Sequence, residues 1–219
     1  MTELGEHLTW DRKEGPRVAA VRSQAYQLFA QLFEYPGEAE AAAIEAGESG
    51  RRLHQALAQV DSSLLADADW NALASGDELA VHYTRLFDVG VPGPPCPLYG
   101  GLYASERMKT MEEALRFYRH FGLASSPSQR ELPDHLTVEL EFLHFLTFKE
   151  AEALQAGTDP GPFRRAQRDF IARHPGRWVP QLASRLQKQD CPAYFRELVA
   201  LLGAFLVHDA AAIADGERT

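Results

Sequence analysis

Two spacings in this sequence have residue types that could do chemistry. Glu141 and His144 form Glu-x-x-His, the arrangement by which a helix presents a carboxylate and an imidazole to a di-iron or di-manganese centre. His135 and Glu139 stand one helical turn apart, and burial beside a carboxylate would tune such a histidine for acid–base work. The first chemistry requires a second Glu-x-x-His and two more glutamates, and no other histidine in the chain has a glutamate three residues before it. The second lacks a companion. There is no phosphate-binding Gly-rich loop, no GxGxxG, no GxSxG and no HExxH. The residues therefore call for no catalytic group, no metal and no cofactor. A carboxylate–metal enzyme on Glu141 and His144 stands as the alternative of another class.

Both spacings lie in one stretch, Glu131 to Leu146, which reads as the start of a buried helix. Pro133 suits a first helical position, where its missing N–H is not needed, and Glu131 and Asp134 suit the positive end of the helix dipole. Placed at 100° per residue, Leu136, Leu140, Phe142, Leu143, Phe145 and Leu146 spread over most of the circumference, so the helix is apolar on several sides. His135 and Glu139 fall inside that apolar arc as a pair. The helix runs to about Gln155 and stops at Gly157.

The remaining elements are helical too. A stripe from Val18 through Val21, Ala25, Leu28, Phe29 and Leu32 ends at Pro36-Gly37, and Leu53, Leu57, Val60 and Leu64 continue the period. A helix starting at Asp77 puts Leu79, His82, Tyr83, Leu86 and Phe87 on one face. Val89 to Gly101 then holds four prolines and four glycines in thirteen residues, a loop too long to be idle in a compact domain. Further helices run over Met108–Phe121, Phe163–Arg173 and from Pro192 onward, with a turn at His174–Trp178 and a short helix through Leu182 and Leu186. No stretch alternates as a strand does. The expected fold is all-α: one helical bundle over residues 1–219, of roughly eight to ten helices at ordinary helix lengths, with a long Pro/Gly loop and a loose polar tail at 1–15.

Net charge is −9, which argues against nucleic acid as the main partner. No apolar run approaches the roughly 18–20 residues of a membrane span, and Met1 to Arg17 lacks the pattern of a secretory signal. Cys96 and Cys191 form no metal spacing and suit a reducing cytoplasm. The acids Glu34, Glu38, Glu40, Glu45 and Glu48 cluster without a base among them. Arg164 to Lys188 carries seven bases against Asp169 alone. A helical adaptor that binds through segment 164–188 is thus a third reading.

The helix start beside a Pro/Gly loop, both rich in aromatics, suggests a groove for a peptide, with apolar walls and a few carboxylates to seat Arg or Lys. Here the chain resembles the TorD/DmsD/NarJ family, cytoplasmic chaperones of molybdenum-containing oxidoreductases of the dimethyl sulfoxide reductase superfamily. The resemblance covers about Ser23 to Phe205. It is carried by Glu131-Leu-Pro-Asp-His-Leu136 with Glu139-Leu-Glu-Phe-Leu143, by His82-Tyr-Thr-Arg-Leu-Phe87 followed by Pro95-Cys-Pro-Leu-Tyr-Gly-Gly-Leu-Tyr103, and by the helix Ala25 to Pro36. The Leu-Pro-Asp-His-Leu form is closer to the nitrate-reductase chaperone branch. Gly100 and Gly101 depart from the family's usual Glu-Ser, which removes a carboxylate and a hydroxyl from the loop. That divergence is compatible with a client of the ethylbenzene, selenate or chlorate type.

The resemblance implies a chaperone without catalytic activity. It would bind the apo catalytic subunit of a molybdoenzyme and its N-terminal, twin-arginine leader, as a monomer or weak dimer in the cytoplasm. In that reading Tyr83, Leu86 and Phe87 form the apolar wall of the site, and Pro97 and Tyr99 the loop edge. Pro133 and Asp134 form the helix start and its charge, and His135 and Glu139 the floor.

Overall fold

A computed structural model describes residues 15–64, 76–124 and 131–216. Among these residues the chain forms nine α-helices and no strand: α1 (Gly15–Leu32), α2 (Glu38–Glu45), α3 (Glu48–Val60), α4 (Gly76–Tyr83), α5 (Arg107–His120), α6 (Leu136–Ala156), α7 (Gly161–Arg173), α8 (Pro175–Leu186) and α9 (Ala193–Gly216). The polar tail before Gly15 and the connection Ser125–Arg130 lie outside the described residues.

Helix α6 is the axis. It buries Leu136, Leu140, Phe142, Leu143, Leu146 and Ala153 on several sides, as its near-uniform apolarity dictates. Helix α1 lies along it, and α7 packs beside it. Gly157 ends α6 in the left-handed conformation (φ 69°), the usual helix stop. The apolar side chains form one cluster around Tyr26, Phe29, Phe33, Phe170, Phe195 and Phe205.

Three sequence expectations are corrected here. Helix α6 begins at Leu136 with His135 as its cap, not at Pro133. The residues before it are drawn into main-chain pairing with the loop: Gly100 N–H donates to the Asp134 carbonyl (2.8 Å) and Leu136 N–H to the Leu98 carbonyl (2.8 Å). His174–Trp178 is not a turn; α8 starts at Pro175, whose fixed φ suits a first helical turn, with His174 as the joint after α7. Lastly, α9 contains a stretch, Ala193–Ala214, long and apolar enough to cross a membrane by length and composition. Tyr194, Phe195, Leu198, Leu202, Phe205 and Leu206 of that stretch are buried against the other helices, which accounts for its hydropathy.

Candidate functional site

The Pro/Gly loop and the start of α6 hold each other in place. Helix α4 runs into one wide, π-type turn, Thr84–Asp88, closed by Val89 N–H to the Thr84 carbonyl (2.9 Å), a geometry common at functional sites. Cys96 N–H returns to the Leu86 carbonyl (2.9 Å), and Tyr99 bridges antiparallel to His135. Side chains reinforce the main chain. Asp134, fully buried, accepts the Gly101 N–H (2.9 Å), and Tyr99 donates its hydroxyl to Glu131 (2.6 Å). Tyr118 donates to the Pro133 carbonyl (2.7 Å), and Tyr103 to the Pro97 carbonyl (2.9 Å).

The two glycines explain themselves in this setting. A Cβ on Gly100 would stand 2.7 Å from the indole nitrogen of Trp178, and one on Gly101 would stand 2.8 Å from an Asp134 oxygen. Both distances are shorter than real contacts allow, so the loop fits against Trp178 and Asp134 as they stand only without side chains there.

His135 and Glu139 do not form the pair their spacing suggests. His135 turns to Thr137 (Nδ1 to Oγ1, 2.7 Å) and to Glu131 (3.9 Å), and its ring packs T-shaped with that of Tyr99 (4.8 Å between centroids). Burial pushes its pKa down against the pull of Glu131 and Asp134. Glu139, wholly buried, accepts the Trp178 Nε1–H (3.0 Å) and lies 3.6 Å from His174. Burial lifts its pKa to about 6, despite His174 and the Trp178 bond. One oxygen each of Asp134 and Glu139, and both ring nitrogens of His174, have no hydrogen-bond partner. Neither His174 nor Trp178 is visible as a partner in the sequence, because Trp178 sits on α8 and His174 at the α7–α8 joint.

The other expected site residues divide by depth. Tyr83, Leu86, Phe87 and Pro97 are buried beneath the surface instead of walling an open groove. Tyr83 donates to the Phe33 carbonyl (2.8 Å) and packs edge-on against Phe87 (5.1 Å). Tyr99 is half-buried, and Pro133 likewise. Above them the surface carries Glu34, Asp88 and Glu131, all exposed and all close enough to raise the Tyr83 phenol, after the larger effect of burial. Burial and then Glu131 lift Asp88, and burial and then Glu34 lift Glu141. Among the described residues none of these four acids has a Lys or Arg ion pair. Tyr35, Val89 and Leu132 are exposed among them.

Lower on α6 lies a cluster that spacing alone does not reveal. Arg22, buried, donates through Nε to Asp209, at 2.9 Å to Glu150, and to Gln167. Tyr26 also donates to Asp209, and Arg164 to Glu150 (2.7 Å). Burial opposes the charge on Arg22, but Asp209 and Glu150 more than offset it. The same pairing draws Glu150 below its usual range against burial. The signal was present: Arg22 falls on the apolar stripe of α1, between Val18 and Ala25, where a charge requires a partner.

Glu141 is exposed, and His144 faces Ser23 (Nδ1 to Oγ, 2.8 Å) across the α1–α6 contact. Among the described residues no three His, Cys, Asp or Glu are grouped so as to hold a metal ion. The basic segment 164–188 is dispersed by the fold. Arg164 pairs with Glu150, Arg168 with Asp169 and Arg173 with Glu113, while Arg185 lies over the Tyr103 ring (4.1 Å).

A family described as nitrate reductase delta subunit matches residues 46–184. The perchlorate reductase assembly chaperone protein of Dechloromonas aromatica (strain RCB) is 32% identical over 194 residues, covering 84% of this chain and 86% of that protein. The selenate reductase assembly chaperone protein of Thauera selenatis is 35% identical over 170 residues, 77% of this chain and 78% of that protein. The chlorate reductase assembly chaperone protein of Ideonella dechloratans is 34% identical over the same shares. With more than half its length matched, and relatives of this identity spanning most of both chains, the chain belongs to the nitrate reductase delta subunit family, the TorD/NarJ group of non-enzymatic molybdoenzyme assembly chaperones.

Proposed function

We propose that this protein is the dedicated assembly chaperone of a molybdenum-containing oxidoreductase, of the class its relatives' names describe. It binds the apo catalytic subunit and its N-terminal, twin-arginine leader in the cytoplasm, as a monomer or weak dimer. Binding delays export until the cofactor is inserted. It uses neither nucleic acid nor membrane insertion.

The observation that carries the leader-binding part is the acidic surface above Tyr83. Glu34, Asp88, Glu131 and Glu141 stand there without a Lys or Arg ion pair among the described residues, interleaved with the exposed apolar side chains of Tyr35, Val89 and Leu132. A peptide with paired arginines followed by apolar residues complements that surface: each guanidinium finds a carboxylate, and the apolar side chains find cover. Tyr99 and Pro133 form its edge. The deeper residues hold its shape: Asp134 fixes the loop through Gly101, while His135 and Glu139 set the floor and Tyr83, Leu86, Phe87 and Pro97 support it. Calorimetric titration with a synthetic Arg-Arg leader peptide tests this. Asp88→Asn with Glu131→Gln should weaken binding at least tenfold, about 1.4 kcal/mol or more. Unchanged affinity would remove this surface from the site.

A further inference from the structure

The cavity between α5 and α7 has the opposite electrostatic character. It measures about 460 Å³ and has Phe117, Phe121 and Ala166 as its floor. The floor is preformed: Phe117 packs edge-on against buried Phe170 (5.2 Å), and Phe121 packs against buried Phe142 (6.0 Å). Arg116, His120 and Arg165 line the cavity, all three exposed. Arg116 donates to its own helix at the Glu112 carbonyl (3.4 Å), and neither it nor Arg165 has a carboxylate within ion-pair distance among the described residues. Asp169, the one carboxylate lining the cavity, is already engaged by Arg168 (3.1 Å), and Asp159 just before α7 accepts the Gly161 N–H (2.8 Å). An apolar floor under unpaired cations is suited to an apolar anchor flanked by negative charge, and it repels the basic leader.

We propose that this cavity is a second client contact, which takes a segment of the client's body where a large apolar side chain stands between carboxylates. A protein segment fits better than a small molecule. Small ligands bury most of their surface, roughly 70–90%, whereas a cavity whose cations are exposed leaves its occupant's upper side uncovered. A segment anchored by one side chain covers the rim with its neighbours. The arginines meet the flanking acids, and the phenylalanines take the anchor. The inference rests on the chaperone reading and adds a point of contact by which leader and body are held on surfaces of opposite sign.

The test uses the full chain and two probes, fluoresceinyl-Glu-Asp-Phe-Leu-Asp-Glu-amide and its lysine counterpart, followed by fluorescence polarisation. The acidic probe should bind saturably and the lysine probe at least tenfold more weakly at this cavity. Arg116→Glu with Arg165→Glu should weaken the acidic probe tenfold or more. Both side chains are exposed, so the helices are expected to form normally, and circular dichroism of the variant checks this. Asp88→Asn with Glu131→Gln should leave the acidic probe unchanged. No saturable binding of the acidic probe, equal binding by the Arg116/Arg165 variant, or a loss caused by the Asp88/Glu131 pair would each overturn the proposal. The Arg-Arg peptide, titrated against the same two variants, reports separately on the leader surface, so failure of one site is distinguishable from failure of the other.

Discussion

Helix α6 carries a buried carboxylate towards each end, Glu139 and Glu150, and their surroundings treat them oppositely. Glu150 meets Arg22, Arg164 and Gln167, and its pKa is drawn down. Glu139 meets one indole N–H and a histidine 3.6 Å away, keeps an oxygen without a partner, and has its pKa lifted to about 6. Burial alone does not distinguish them, since both are almost inaccessible. Supply of donors does. The Glu150 end joins α1, α6, α7 and α9 through a completed network and acts as scaffold. The Glu139 end lies under the Pro/Gly loop, where buried polar groups are only partly satisfied, a condition that marks strained or working parts of a protein.

The largest effect should come from the completed end. Arg22→Leu leaves Asp209 and Glu150 buried without their cation and should cost about 3–5 kcal/mol, read by urea denaturation. A loss below about 1 kcal/mol would show that the network is not what joins these helices. At the other end Gly100→Ala should cost up to about 3 kcal/mol by overpacking, because the Trp178 indole it meets is buried and held by Glu139. The same variant should weaken leader binding, since the loop moves off α6.

The pH dependence of stability separates the two carboxylates by sign. Glu139 has a folded pKa of about 6 against an ordinary 4.5, so between those values the folded protein holds the proton that the unfolded chain has released. Stability therefore falls as pH rises through that window, by about 2 kcal/mol, and Glu139→Gln should remove that slope. Glu150 is shifted the other way. Its contribution is complete above the unfolded carboxylate range and is lost as pH falls through its depressed folded pKa. Denaturation midpoints from about pH 4 to about 7, a range that spans the ordinary and the folded value of Glu139, should show the first slope in wild type and not in Glu139→Gln.

How much of this was legible in the sequence follows from how local each feature is. The end of α6 at Gly157 is a single-residue signal and was found. Pro133 marks the start of α6 three residues early, because the true start depends on Leu98 and Gly100, more than thirty residues away. Spacing marks Glu139 as a buried acid and offers His135, one turn back, as its neighbour, whereas the real partners come from α8 and the α7–α8 joint. Arg22 went unread although it stood on an apolar stripe, since Asp209 lies 187 residues on and Glu150 lies 128 residues on. Periodicity shows that a residue is buried; only the fold shows which residue answers it. The clashes that require glycine at 100 and 101 belong to the same non-local class. In the sequence those positions were only a departure from a family pattern.

The middle of α6 should respond least. Glu141 is exposed, and a change there away from buried partners falls within about 0.5 kcal/mol, so Glu141→Gln should be nearly silent in stability. His144 is fixed by Ser23: its Nδ1 lies 3.0 Å from the Ser23 carbonyl, which can only accept, so Nδ1 carries the proton and donates. The Ser23 hydroxyl, 2.8 Å from the same nitrogen, then accepts from it and donates to the His144 carbonyl (3.0 Å). That tautomer gives the helix contact to Nδ1 and leaves Nε2 as the one nitrogen able to ligate a metal, with Glu141 as its only neighbouring carboxylate in the Glu-x-x-His spacing. Two ligands do not complete a site of the four-carboxylate, two-histidine kind. Adding manganese to purified protein should therefore leave its melting temperature where it was. A rise in melting temperature with manganese that Glu141→Gln abolishes would move the working part of α6 from its start to its middle.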